Sequence, residues 1–218
     1  MSGTEAIIHI DVEGELQKII QQLNSLPDQI AAPNVLASAL NTAGRKVRKQ
    51  IVKDAKGVYA LKKKKVLTDT SQGAPKLFTA SQSTMEAVIH SRGPMQDIMN
   101  FMTRPNKGTG AAAAKVLSSS SMKPLIKGNL KAFVTTFATG HVAIVQRDPP
   151  ATYTTSWGAA RRNQYGANAD MTKIKKLLSP AVPHMLGNET VRQQAEVLTY
   201  ETLQTEIQKR VERILNKA

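Results

Sequence analysis

The run from Glu189 to Lys217 contains neither proline nor glycine. It constrains the chain more than any other stretch, because nothing in it stops a helix. Asn188 is a good N-cap, and Glu189 beside it suits the positive end of the helix dipole. Lys209, Arg210, Arg213 and Lys217 crowd the other end, where cations are favoured. Such a helix spans roughly 40 Å at ~1.5 Å per residue. Its apolar residues do not keep to one stripe. Val191, Ala195 and Leu198 centre on one direction, whereas Leu203, Ile207, Val211 and Ile214 centre about 140° round the helix. A straight helix does not press both sets against one core. The pattern therefore predicts that the first half packs on its own sheet. For the second half it predicts a neighbouring subunit, with another part of the chain, such as a 15–26 helix, as the alternative. Leu203, Ile207, Val211 and Ile214 are thus the candidate subunit interface.

The approach to this helix is distinctive. Pro180 and Pro183 push Ser179 and Val182 towards extended backbone, which predicts a rigid non-helical linker. Leu177, Leu178, Val182, Met185 and Leu186 supply apolar anchors around it.

Asn34 to Val58 is the clearest amphipathic helix. Leu36, Leu40, Ala43, Val47, Ile51 and Val58 fall within about 80° of one another at 100° per residue. Arg45, Lys46, Lys49, Lys53 and Lys56 occupy the far side, and Arg48 lies between. Asp54 is the single acid of this helix, and Lys62, Lys63, Lys64 and Lys65 follow it directly. The net charge of +14 is also unevenly placed: residues 56–187 hold nineteen Lys or Arg against five Asp or Glu. A one-signed stripe of this kind suggests contact with nucleic acid or with an acidic protein surface.

The remaining chain reads as short elements. Ala6 to Val12 alternates like a strand, and Glu15 to Leu26 has helical spacing ended by Pro27. Leu61 to Leu67 suits a short helix, Thr68 to Thr84 a loop, and Met85 to His90 a strand. Residues 94–110 are irregular, with Met95, Ile98, Met99, Phe101 and Met102 expected to reach the core. Leu130 to Arg147 carries the best hairpin signal, turning at Thr139-Gly140 and stopping at Asp148-Pro149-Pro150. Both of its faces are largely apolar, so each should be covered. Residues 151–170 read as an exposed loop, where Arg161 and Arg162 lie between Trp157 and Tyr165. These types suit either nucleic acid or a protein contact.

No catalytic or metal chemistry is legible. There is no cysteine, and His9, His90, His141 and His184 have no ligand-like spacing. Gly108-Thr-Gly110 lacks the Lys-Ser/Thr ending of a phosphate loop. Asp69, Glu86, Asp97, Asp148 and Asp170 are scattered. We therefore assign no enzyme activity, cofactor or metal. Without an apolar leader or an apolar run near ~18 residues, the expectation is a soluble protein made in a cytoplasm.

Two blocks, in order, carry a family resemblance. Leu-Leu-Ser-Pro-Ala-Val-Pro-His-Met at 177–185, followed by a long charged helix, resembles the close of the phage minor tail protein Z family. Lys131 to Arg147 is similar to that family's Ala-Phe strand, Gly-His turn and apolar return strand. The resemblance extends loosely over residues 34–216, with 148–170 as an insertion and 1–33 as an appendage. Long helices at about 34–57 and 188–216 should pack on an antiparallel sheet with strands near 85–90, 112–117, 130–138 and 141–147, an α+β domain. The resemblance implies a virion protein completing the tail at its head-proximal end. It would be a ring subunit, six-fold by analogy with tails, beside the tail terminator, tail tube and head-side connector, and bounding the channel for genomic double-stranded DNA. The alternatives are a basic, sequence-nonspecific nucleic-acid-binding module and a head-side head–tail adaptor of similar fold.

Overall fold

The computed structural model describes residues 4–8, 32–105, 110–137, 139–153, 162–164, 166 and 171–216. The chain divides into two compact units, one of residues 1–59, 63–95 and 180–218, the other of 60–62 and 96–179. The class is mixed α+β with antiparallel sheets and two long helices, as the sequence predicts.

The first unit holds α1 (Ala32–Val58), α2 (Lys65–Thr68), α3 (Val182–Leu186) and α4 (Glu189–Leu215). Its sheet has the order β1-β3-β2, with β1 at Thr4–Ile8, β2 at Lys76–Phe78 and β3 at Val88–Gly93. β1 pairs antiparallel with β3 from Thr4↔Gly93 to Ile8↔Ile89. The first strand is thus a sheet edge of this unit rather than an appendage, while the predicted 15–26 helix lies outside the described residues. β2 forms within a stretch that reads as loop. Its partner β3 supplies the ladder that its own three residues do not advertise.

α1 and α4 form an antiparallel pair. At one end Arg210 donates to Thr42 Oγ1 at 2.9 Å and to the Ser38 carbonyl at 3.3 Å. At the other, Tyr59 and Asn188 share a side-chain hydrogen bond, and burial raises the Tyr59 phenol above its ordinary value. Asn188 Oδ1 accepts from the Thr190 backbone N–H at 3.1 Å, the N-cap that the sequence predicts.

The two apolar directions on α4 are reconciled by threonine. Val191, Ala195, Thr199, Leu203 and Ile207 are all buried and stand four residues apart. An i, i+4 ridge turns by about 40° per step, so it spirals from one direction to the other. Thr199 donates its hydroxyl to the Ala195 carbonyl at 2.7 Å, which leaves its methyl free for burial. Leu203 and Ile207 belong to a core cluster with Val35, Leu36, Ala39, Leu40 and Ala43 of α1, and Val211 packs against it. This corrects the interface reading: the second half of α4 packs on α1 of the same chain.

The linker is also corrected. Val182–Leu186 is helical, with Pro183 in its first turn, where a missing N–H costs nothing. Val182, Pro183, Met185 and Leu186 are buried, and α3 lies against β1 and β3. Gly73 (φ 96°) and Gly93 let the turn at Thr70–Gln72 press onto β3: a Cβ on Gly93 would collide with the Gln72 carbonyl oxygen.

The second unit is built of short strands: β4 (Gln96–Asp97), β5 (Met102–Arg104), β6 (Gly110–Ala111), β7 (Ala113–Lys115), β8 (Lys123–Pro124), β9 (Ile126–Lys127), β10 (Leu130–Lys131), β11 (Phe133–Thr136), β12 (Val142–Thr152), β13 (Thr172–Lys176) and β14 (Leu178–Ser179). The main sheet has the order β13-β12-β11-β6. The predicted hairpin is its centre, paired from Phe133↔Val145 to Thr136↔Val142 and closed at Gly140 (φ 78°). One face is covered: Ala132, Val134 and Ile144 are buried with Ile98, Ala112 and Ala114. The other is only partly so, and Phe137 is exposed. Of the residues expected in this core, Ile98 and Phe101 are buried, but Met95 and Met102 are exposed. β12 does not stop at Pro149-Pro150. The register shifts between Arg147 and Thr152, and β11 pairs only up to Val145, so the prolines withhold no ladder donor.

Candidate basic interface

α1 carries six Lys or Arg and one acid. Helical periodicity puts Val47, Ile51 and Ala55 into the core and turns Arg45, Lys46, Lys49 and Lys53 outward, exposed. Lys56 and Arg48 are half-buried at the margins. Asp54 is half-buried too; its Oδ1 accepts from Gln50 at 2.7 Å.

The two long helices differ in how their charges are used. On α4, Arg192 bridges Glu189 at 2.9 Å and Glu196 at 2.6 Å, and Arg210 pairs with Glu206 at 2.6 Å. Glu206 also takes Lys46 of α1 at 3.0 Å. The hydrogen bond from Arg210, then that from Lys46, holds the Glu206 carboxyl down at about 2. Lys46 is therefore compensated. Arg45, Lys49 and Lys53 make no ion pair among the described residues. Those three are the exposed cations of α1 without one among the described residues. Charge periodicity alone does not separate them from Lys46, since the neutralising acid comes from 160 residues downstream.

The Lys62–Lys65 run is not one feature. The division between units falls inside it, with Lys62 in the second unit and Lys63, Lys64 and Lys65 in the first. All four are exposed. Lys62 Nζ donates to Thr103 Oγ1 at 2.8 Å. Burial lowers its pKa and the Asp97 charge opposes that shift. Asp97 itself holds Lys176 at 2.6 Å, with His141 at 3.9 Å. In the loop, Arg162 is exposed, and Arg161 lies outside the described residues. So does the Ile214 side chain, while Leu203 and Ile207 are core and Val211 is partly buried.

Among the described residues no group of three or more His, Cys, Asp or Glu is placed to hold a metal ion, and no helix is long and apolar enough to cross a membrane. What Arg45, Lys49 and Lys53 offer chemically is exposed positive charge spaced along one helix. Compared with known protein families, with curated proteins and with solved structures, the chain matches none.

Proposed function

We propose that the chain is a structural virion protein that completes a long phage tail at its head-proximal end. It acts there as a ring subunit joining tail terminator and tube to the head-side connector, without catalysis. The observation that carries this reading is the order of the two resembling blocks, Lys131–Arg147 and then Leu177–Met185 running into a long helix. The elements formed by those blocks support it. The first is the hairpin at the centre of the main sheet, and the second contains the buried α3 turn that leads into α4. The test is disruption of the gene in the phage or prophage that encodes it. Free heads and free tails that fail to join are expected, with joining restored by the protein supplied in trans. Normal joined particles without the protein would overturn the reading.

A further inference from the structure

We infer that the outer face of α1, centred on Arg45, Lys49 and Lys53, is a binding face for the phosphate backbone of double-stranded DNA. The three cations stand four residues apart, so they line one edge of the helix over about 12 Å at ~1.5 Å per residue. Duplex DNA presents one charge per about 1.7 Å of axis, so that edge faces about seven phosphate charges. The exposed charges of the strip are of one sign. Asp54 is half-buried beside Gln50, and Glu206 is committed to Arg210 and Lys46. Lys63, Lys64 and Lys65, on and just before α2 of the same unit, add exposed charge of the same sign.

An acidic protein partner fits less well. Protein interfaces are anchored by apolar and aromatic side chains and are depleted in lysine. Here lysine dominates, and no large apolar side chain between residues 33 and 65 is exposed. Single-stranded nucleic acid is disfavoured for a related reason. Its binders stack bases on aromatic side chains, and α1 itself carries no aromatic residue. Phosphate contacts need only positioned charge, and they carry no sequence information.

The inference stands apart from the tail reading, because the face is present whatever the chain assembles into. The test titrates the purified full chain against a 20-base-pair duplex by fluorescence anisotropy from 50 to 200 mM salt. The variant Arg45→Gln/Lys49→Gln/Lys53→Gln should lower the salt slope by roughly 2.7, at ~0.9 per phosphate, and weaken binding about 40-fold at the low-salt end relative to the high-salt end. Arg45→Lys, which keeps the charge, should retain the slope. Lys123→Gln/Lys127→Gln/Lys131→Gln removes the same charge from exposed residues of the second unit and should leave the slope within about one unit. An equal loss in both triple variants would mean attraction to overall charge and overturn the assignment. So would an unchanged slope in the α1 variant, or tighter binding to polyglutamate of the same charge than to the duplex. Loss of DNA binding with intact head–tail joining would leave the tail reading standing, so the two fail separately.

Discussion

Lys46 of α1 donates to Glu206 of α4 at 3.0 Å, and through it the basic helix is tied to the one that neutralises part of its charge. The Glu206 side chain is only 13% exposed, and Arg210 completes its coordination. Its carboxyl is held at about 2, against an ordinary value of 4.5. A depressed carboxyl stabilises the fold fully above its unfolded value and loses that contribution as pH falls through its folded value. The thermal midpoint of the wild-type chain should therefore fall as pH drops from 4.5 towards 2. Glu206→Gln should lower the midpoint at pH 7 and flatten this part of the profile. An unchanged acid limb in the variant would show that the pairing contributes nothing.

Leu203 and Ile207 are core, so charging them should unfold the isolated chain. Leu203→Asp with Ile207→Asp buries unpaired charge, which costs several kcal/mol or more. Even Leu203→Ala should cost about 2–5 kcal/mol. Urea denaturation followed by circular dichroism measures both. A folded, near-wild-type double variant would return these residues to a subunit interface.

Glycine substitutions should separate close approach from mere helix propensity. Gly93→Ala drives a Cβ into the Gln72 carbonyl, so it should destabilise by at least about 1–3 kcal/mol, the overpacking range. A Cβ on Gly57 meets nothing within 4 Å, and Gly57→Ala should stabilise α1 by about 0.5–1 kcal/mol. Thermal melts of the two variants should move in opposite directions.

Asn188→Ala removes both the cap on Thr190 and the bond to Tyr59. A loss of about 1 kcal/mol is expected from the cap alone. Asn188→Asp keeps the cap acceptor and should recover most of it.

The long helices were legible because their signals are local. The periodicity of α1, the Asn188 cap and the uninterrupted run to Leu215 all lie within one element. The Phe133–Val145 hairpin was legible for the same reason. What α4 packs against was not, because Thr199 counts as polar in a hydrophobic pattern and yet fills the ridge between Ala195 and Leu203. β2 was missed because a three-residue strand gains its identity from β3. The prolines of β12 misled because whether a missing N–H matters depends on the partner strand, whose pairing stops at Phe133↔Val145. In the basic stripe the residue types were readable. Which charges stay unpaired depended on Glu206, far along the chain.

The tail-end assignment is tested most directly by locating the chain in mature particles. Antibody against the purified protein, conjugated to gold, would be applied to intact phage and to detached tails and imaged by electron microscopy. Gold confined to the head-proximal end of the tail, and present on detached tails, is the expected result. Gold at the distal tip, along the capsid, or absent from particles that contain the protein by mass spectrometry would contradict it.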